Sequence, residues 1–174
     1  MIKETIEAVK DFILSANTYF NKGIAGVTIN EAGHVAGNEI VFPNDKYGDY
    51  FYIRQANRST FETGSYDKVT DCDNGESLRT DIFIVACVRN ADADKLIDNL
   101  IHTMQKYPDN RAVAVITESD DVIAQELAKA SKTNKKAAQA RIGNYTIVCL
   151  QVNIGTRVLP VRNLTTCILN PCSC

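Results

Sequence analysis

The sequence predicts an α+β (α/β) fold with a single mixed or antiparallel sheet and helices packed on it. Three observations lead to this class. An amphipathic helix pattern opens the chain, a long polar hairpin excursion follows the first strand pattern, and the second half alternates strand and helix patterns as β-α-β-α-β. We expect one domain of 174 residues. Its segments are an N-terminal helix (1–22), a glycine-rich loop region (23–49), a core of sheet and helices (50–154) and an extended C-terminal tail (155–174).

Apolar residues recur every three or four positions near the N-terminus, with polar residues on the opposite side, which predicts a helix of roughly four turns ending near Asn21 to Gly23. The apolar stripe consists of Ile2, Ile6, Val9, Ile13, Ala16 and Phe20. The next stretch, from Gly23 to Gly37, contains four of the nine glycines and predicts a loop or loose hairpin rather than a packed element. Its glycine spacing fits neither phosphate-loop motif.

The aromatic and β-branched run from Tyr50 to Arg54 predicts a strand. From Gln55 to Ser77 the chain is polar, which indicates a long hairpin or excursion with weak strand potential at 65–69 and a turn at 71–75. The acidic residues of this excursion are Asp67, Asp71 and Asp73, and they lack the ligand spacing and closing Glu of an EF-hand.

The continuous apolar run from Ile82 to Val88 predicts a buried central strand. Ala93 to Met104 has the clearest helical periodicity in the chain. The remaining expected elements are a strand at 112–117, a helix capped by Ser119 and running to Lys129, a long strand at 145–154 and an edge strand near 158–161.

The acidic turn before the best helix is the first candidate site. Asp92 and Asp94 fall in the first helical turn, where the helix dipole stabilises acidic side chains, and Asn90 is expected to be the N-cap. The alternative is a cation held where this helix start converges with a second acidic helix start, at Asp120 and Asp121 beside Glu118 and Ser119.

Histidine and cysteine offer little catalytic pattern. His34 lies in the glycine-rich stretch and His102 on the polar side of the best helix, and Cys87 and Cys149 lie within apolar strands, where cysteine behaves as a small hydrophobe. The tail carries Cys167, Cys172 and Cys174, with Cys72 as a conceivable fourth metal ligand. A frayed or partner-docked tail is the preferred interpretation. We therefore expect no catalytic, cofactor-binding or metal residue.

Charge and hydropathy limit the partners. With 19 basic and 21 acidic residues the net charge is −2, which gives no general attraction for nucleic acid or an anionic membrane. No stretch approaches the roughly 20 apolar residues that span a bilayer. One basic segment comprises Lys129, Lys132, Lys135, Lys136 and Arg141. It is either a solvated helix face or linker, or a sequence-independent contact to a phosphate backbone.

The order of elements resembles the tail-terminator and neck proteins of tailed bacteriophages. The resemblance lies in DIFIVACVRN running into ADADKLIDNLIHTM, followed by AVAVIT and YTIVCLQVNI, and covers about residues 50–154 and the leading helix. It is architectural and has no diagnostic motif. The glycine-rich stretch and the cysteine-bearing tail are additional to the elements of a minimal member of this family.

The resemblance implies a structural virion protein, assembled in the host cytoplasm, and not an enzyme. Such subunits form a homo-oligomeric ring, six- or twelve-fold, at the head–tail joint, where they meet neck, portal or tail proteins and DNA passes through the lumen. On this interpretation residues 57–74 and 155–174 are interface segments, and the basic segment lines the lumen or faces solvent. The competing classes are a small cytosolic α/β enzyme with an acidic metal-dependent site and a bacterial oligomeric adaptor domain.

Overall fold

The computed structural model describes residues 2–31, 35–41, 43, 46–63, 76–108, 110–116, 124–125, 128–129 and 132–158. Within these ranges the chain forms three helices and seven strands. In chain order they are α1 (Ile2–Ala16), β1 (Lys22–Ala25), β2 (Val27–Ile29), β3 (Val35–Asn38), β4 (Tyr50–Thr63), β5 (Glu76–Arg89), α2 (Ala93–Gln105), β6 (Asn110–Ile116), α3 (Lys135–Ile142) and β7 (Tyr145–Val158).

Five strands form one mixed sheet in the order β1-β4-β5-β7-β6. β1 pairs with β4 in parallel, and the other three pairings are antiparallel. The predicted fold class is therefore confirmed. β5 is the middle strand, as its continuous apolar run predicted. Because β7 lies between β5 and β6, the connection through α2 leaves β5 and β6 pointing in the same direction without touching.

One face of the sheet is covered by α1 and α2. The buried cluster there joins residues of both helices to alternate residues of β4, β5 and β7: Ile6, Val9, Ile13, Leu96, Leu100, Met104, Phe51, Ile53, Ile82, Ile84, Ala86, Val88, Val148, Leu150, Val152 and Ile154. Burying each large apolar side chain contributes about 1.5–3 kcal/mol. This layer is the main hydrophobic core.

The opposite face is buried mainly near one end of the long strands. Tyr50, Tyr52, Val85, Cys87 and Cys149 form its cluster, and Ile40 and Ile147 join it to a second cluster. That second cluster contains Ala124, Ala128, Ala138 and Ile142. Helical residues thus lie on both faces of the sheet at this end.

The predicted N-terminal helix is confirmed, but it ends earlier than expected. Ile6, Val9 and Ile13 are fully buried as the stripe predicts, whereas Ala16 is exposed and is the last helical residue. Asn17 explains the end, because its side-chain oxygen accepts the backbone N–H of Tyr19 at 2.9 Å and so competes with continued helix. Phe20 still reaches the core, from a turn instead of from the helix.

The glycine-rich stretch is only partly the expected loose hairpin. β2 and β3 do form a small antiparallel hairpin. The prediction was wrong for Lys22–Ala25, which is a strand of the main sheet. Gly23 fits there because a Cβ atom would lie 2.7 Å from the ring of Phe51 and 2.7 Å from Cγ of Lys10. Glycine here reflects close packing and not a loop.

The polar excursion is a hairpin, as predicted. β4 and β5 are antiparallel partners of 14 residues each. The expected turn and weak strand, with Asp67, Asp71, Cys72 and Asp73, lie outside the described residues.

The predicted strands at 112–117 and 145–154 correspond to β6 and β7, and β7 continues to Val158. Val158 therefore ends an interior strand instead of beginning an edge strand, while 159–174 lie outside the described residues. The helix expected up to Lys129 is described only at 124–125 and 128–129, and Ser119 is not among the described residues.

Candidate interaction surface

The acidic turn before α2 is a helix cap. Asp92 is the N-cap, and its carboxylate oxygen accepts the backbone N–H of Asp94 at 3.1 Å and of Lys95 at 3.3 Å. The prediction of Asn90 as the cap was wrong. Asn90 has a positive φ of 51° and donates its own N–H to the carbonyl of Asn144 at 2.9 Å. Asparagine tolerates this left-handed conformation better than most residues, so Asn90 makes the turn and Asp92 starts the helix.

The alternative metal site cannot be assembled from the described residues alone. In that part of the chain no group of three His, Cys, Asp or Glu side chains is placed to hold an ion. Asp120 and Asp121, with Glu118 and Ser119, lie outside it. Their convergence with Asp92 and Asp94 stays a prediction.

The predicted placement of the two strand cysteines is confirmed. Cys87 and Cys149 are buried free thiols in β5 and β7. Burial raises the pKa of the Cys87 thiol to about 12, against a smaller lowering by its hydrogen bond with Tyr50. A thiol with this pKa is protonated at neutral pH and is a poor nucleophile. His102 is exposed on α2, while His34, Cys167, Cys172 and Cys174 fall outside the described ranges.

The basic segment lies on the side of the sheet away from α1 and α2. Lys129, Lys132 and Lys136 are exposed and Lys135 is half-buried. α3 begins within this segment, with Asn134 as N-cap accepting the N–H of Ala137 at 2.8 Å, and its first turn contains no acidic residue. This helix was not predicted from the sequence. The sequence feature that indicates α3 is the spacing of four residues between Ala138 and Ile142, which are both buried.

Three of the sheet's strands continue well past their neighbours. β4, β5 and β7 have 14 residues each, or about 48 Å of extended chain. β1 pairs only with residues 50–53 of β4, and β6 reaches only to Ile154 of β7. Beyond these points the three strands remain paired with one another. The first paired row is Ser59, Thr80 and Ile154, and the last is Thr63, Glu76 and Val158. We call this three-stranded ribbon, residues 59–63, 76–80 and 154–158, the β-tongue.

The sheet has open edges at both sides within the described residues. On one side, beyond β1, β4 accepts hydrogen bonds from the N–H of Gly26, to the carbonyl of Ile53 at 2.7 Å, and from the amide of Asn38, to the carbonyl of Gln55. Residues 56–63 then continue with no described strand hydrogen-bonded to their outer edge. On the other side, β6 is the outermost described strand. Unpaired strand edges are templates for pairing with another chain.

Two polar contacts that the sequence analysis missed fix these long strands at their other end. The carboxylate of Asp49 accepts the backbone N–H of Arg89 at 2.9 Å and its Nε at 3.3 Å. The hydroxyl of Tyr145 donates to the carbonyl of Gly48 at 3.4 Å. These residues are far apart in sequence, so no local pattern could have indicated them.

The fold and its edges define a class: an α+β protein with a mixed sheet, a projecting β-tongue and open strand edges on both sides of its described part. No protein-family model matches the chain, and no curated protein is significantly similar to it. Across the described residues, the helices are all too short or too polar to cross a membrane.

Proposed function

We propose that the protein is a structural subunit of a tailed bacteriophage virion that forms a homo-oligomeric ring at the head–tail neck, in the manner of a tail terminator. The observation that carries the proposal is the β-tongue. A ring subunit needs two different surfaces that fit each other, because a cyclic assembly is built from head-to-tail contacts. A ribbon of three paired strands that extends past β1 and β6 is suited to reach the next subunit.

The anchoring of the β-tongue supports this role. Its three strands are continuous with the buried centre of the sheet, where Ile82, Ile84 and Leu150 have no solvent exposure. At the far end, the Asp49–Arg89 contact holds the start of β4 against the end of β5. A projection fixed in this way gives up little conformational entropy when it binds, which favours assembly.

The ring would expose a basic surface to DNA. Lys129, Lys132 and Lys136 extend into solvent from the side of the sheet opposite α1 and α2. We propose that this side faces the lumen and contacts the phosphate backbone without sequence preference. Of the proposed interface segments, residues 57–63 belong to β4, with 59–63 in the β-tongue, and residues 155–158 also fall in the β-tongue, whereas 64–74 and 159–174 lie outside the described residues.

Native mass spectrometry and electron microscopy test the ring directly. We expect a closed six- or twelve-fold ring as the protein is concentrated. The diagnostic variant replaces residues 60–79 by Asn-Gly, since Ser59 and Thr80 are register partners and a two-residue turn joins such a pair. It should keep a folded core and fail to form the ring. A protein that remains monomeric at every concentration, or a shortened variant that forms the same ring, would contradict the proposal.

A further inference from the structure

β6 is an edge strand whose protection is confined to its start, where the register with β7 shifts between Asn110 and Ala112, at the charged Arg111. Its residues 112–116 read Ala-Val-Ala-Val-Ile, with no charge and no proline. Ala112, Ala114 and Val115 are exposed, and the Val115 side chain keeps 39% of its surface accessible. Natural sheets shield such edges with charges, prolines or bulges, because an apolar edge recruits another strand. Among the described residues no strand pairs with the outer edge of β6.

A second open edge lies on the opposite side of the same sheet. Residues 56–63 of β4 continue beyond β1 with no described strand outside them. The regular parts of the two edges match in length: the register shifts between Gln55 and Ser59 and between Asn110 and Ala112, which leaves five regularly paired residues in each edge, 59–63 of β4 and 112–116 of β6. An apolar strand edge is a template for another edge strand, and the chain itself carries one of matching length.

We propose that the outer edge of β6 pairs with residues 56–63 of a second copy of this chain, head to tail, so that the sheet continues from one copy to the next. This contact would be the interface between neighbouring subunits of the proposed ring. Closure of the assembly into a ring rests on the proposed function, whereas the pairing of the two edges does not. Pairing β6 with β6 would leave both 56–63 edges open. The head-to-tail arrangement satisfies both edges with one kind of interface.

The packing around β6 favours an added strand. Val113 packs against the core beneath α2, and Ile116 packs against the cluster on the other face. An added strand would therefore extend both apolar layers and cover Val115. Each residue paired in this way also forms about one additional backbone hydrogen bond.

The test blocks each edge with proline. In an antiparallel edge strand, alternate residues direct their N–H outward, so of two successive prolines one removes only an outward N–H and the other breaks the existing ladder. Ala114→Pro and Val115→Pro are compared for β6, and Thr60→Pro and Phe61→Pro for β4. In each pair, the variant that keeps the wild-type melting temperature is the edge-blocked protein. Ala114→Ser keeps the N–H and is the matched control.

We expect each edge-blocked variant to need at least about tenfold more protein for half-assembly, a change of about 1.4 kcal/mol in association free energy. Ala114→Ser should assemble as the wild type does. A mixture of the two blocked variants should form a dimer of two 19.2 kDa chains, since one supplies an intact β6 and the other an intact 56–63 edge. Analytical ultracentrifugation measures the half-assembly concentration of the blocked variants, the assembly of Ala114→Ser and the mass of the species that the mixture forms.

Four results would overturn the pairing. They are a wild-type monomer at every concentration, undiminished assembly of the β6-blocked variant, lowered melting temperatures for both β6 prolines with assembly intact, and a mixture that stays monomeric. The third would mean that another part of the same chain covers the edge. Open fibres that are absent in both edge-blocked variants would support the pairing and refute the ring. A closed ring that survives both blocks would sustain the ring and refute the pairing.

Discussion

Tyr50 and Cys87 lie opposite each other on β4 and β5, and burial controls the chemistry of both. The Tyr50 hydroxyl donates to the carbonyl of Val41 at 3.1 Å, and burial, the largest cause, raises the pKa of Tyr50 well above its usual range. Burial likewise raises the pKa of Cys87, from the ordinary 9.0 to about 12. Both groups are therefore held in their neutral forms in the folded protein.

This pair predicts a decrease of stability in alkali. Because the folded thiol keeps its proton while the unfolded thiol ionises above pH 9.0, the contribution of Cys87 is complete below that pH and disappears as the pH rises toward about 12. Between about pH 8 and about pH 10.5, the unfolding free energy of the wild type should fall by about 2 kcal/mol more than that of Cys87→Ala. Urea unfolding at the two pH values measures it. Tyr50 is present in both proteins, and because burial, rather than Cys87, is the largest cause of its raised pKa, its hydroxyl stays neutral in both folded proteins over this range. Equal decreases in the two proteins would contradict the assigned pKa.

Single residues also show where local sequence is insufficient. The burial of Cys87 and Cys149 follows from their apolar neighbours and was predictable. The burial of Asn17 was not predictable, since it depends on Asn99 and Thr103 of α2, the latter 3.3 Å from its side-chain nitrogen. A buried amide is stable only with such partners, and those come from another helix.

At the scale of elements, α2 was the best predicted part of the chain, and only its cap was misplaced. Leu96, Leu100 and Met104 are fully buried, as the periodicity required. Both Asn90 and Asp92 are good capping residues by type. The choice between them depended on how β5 turns into the helix, and the bond from Asn90 to Asn144 on another segment fixed that turn.

Substitutions at the turn separate the two roles. Asp92→Ala should cost about 1 kcal/mol of unfolding free energy, because it leaves two N–H groups of the first turn without their acceptor. Asp92→Asn should recover most of that stability, since its amide oxygen can accept the same bonds. Asn90→Gly should change stability by only a few tenths of a kcal/mol, since glycine adopts a positive φ freely. Chemical denaturation of the three variants measures these changes in unfolding free energy. A larger destabilisation by Asn90→Gly than by Asp92→Ala would restore Asn90 as the cap.

Two elements escaped the sequence analysis for opposite reasons. β1 was hidden by its glycine, which suggests a loop locally but permits the close approach of Phe51 and Lys10. α3 was hidden by its lysines, since a short helix with few buried residues has little apolar periodicity. Both are stabilised by the sheet they contact more than by their own sequence.

At the scale of the whole molecule, the basic segment predicts salt-dependent, sequence-independent binding to DNA. The double variant Lys132→Gln/Lys136→Gln removes two exposed charges. It should weaken duplex binding equally for unrelated sequences. It should also reduce the slope of log K against log salt by about 0.9 for each phosphate that the variant no longer neutralises. Fluorescence anisotropy across a salt series measures the slope.

The matched control is Lys3→Gln/Lys95→Gln, which removes two exposed charges from α1 and α2, on the other side of the sheet. It should bind DNA with the wild-type slope. The same reduction in both double variants would mean that only net charge matters, and the proposed lumen-facing side would be wrong.

The sequence by itself determined the local elements: the apolar run of β5, the periodicity of α2, the long β7 and the amphipathic α1 all carry their structure in the spacing of apolar residues. Tertiary structure alone decided the insertion of β7 between β5 and β6, the parallel addition of β1 and the run of the β-tongue past its neighbours. The reason is physical. Apolar spacing states which face of a strand is buried, whereas every strand edge offers the same backbone donors and acceptors, so packing across distant segments selects the partner.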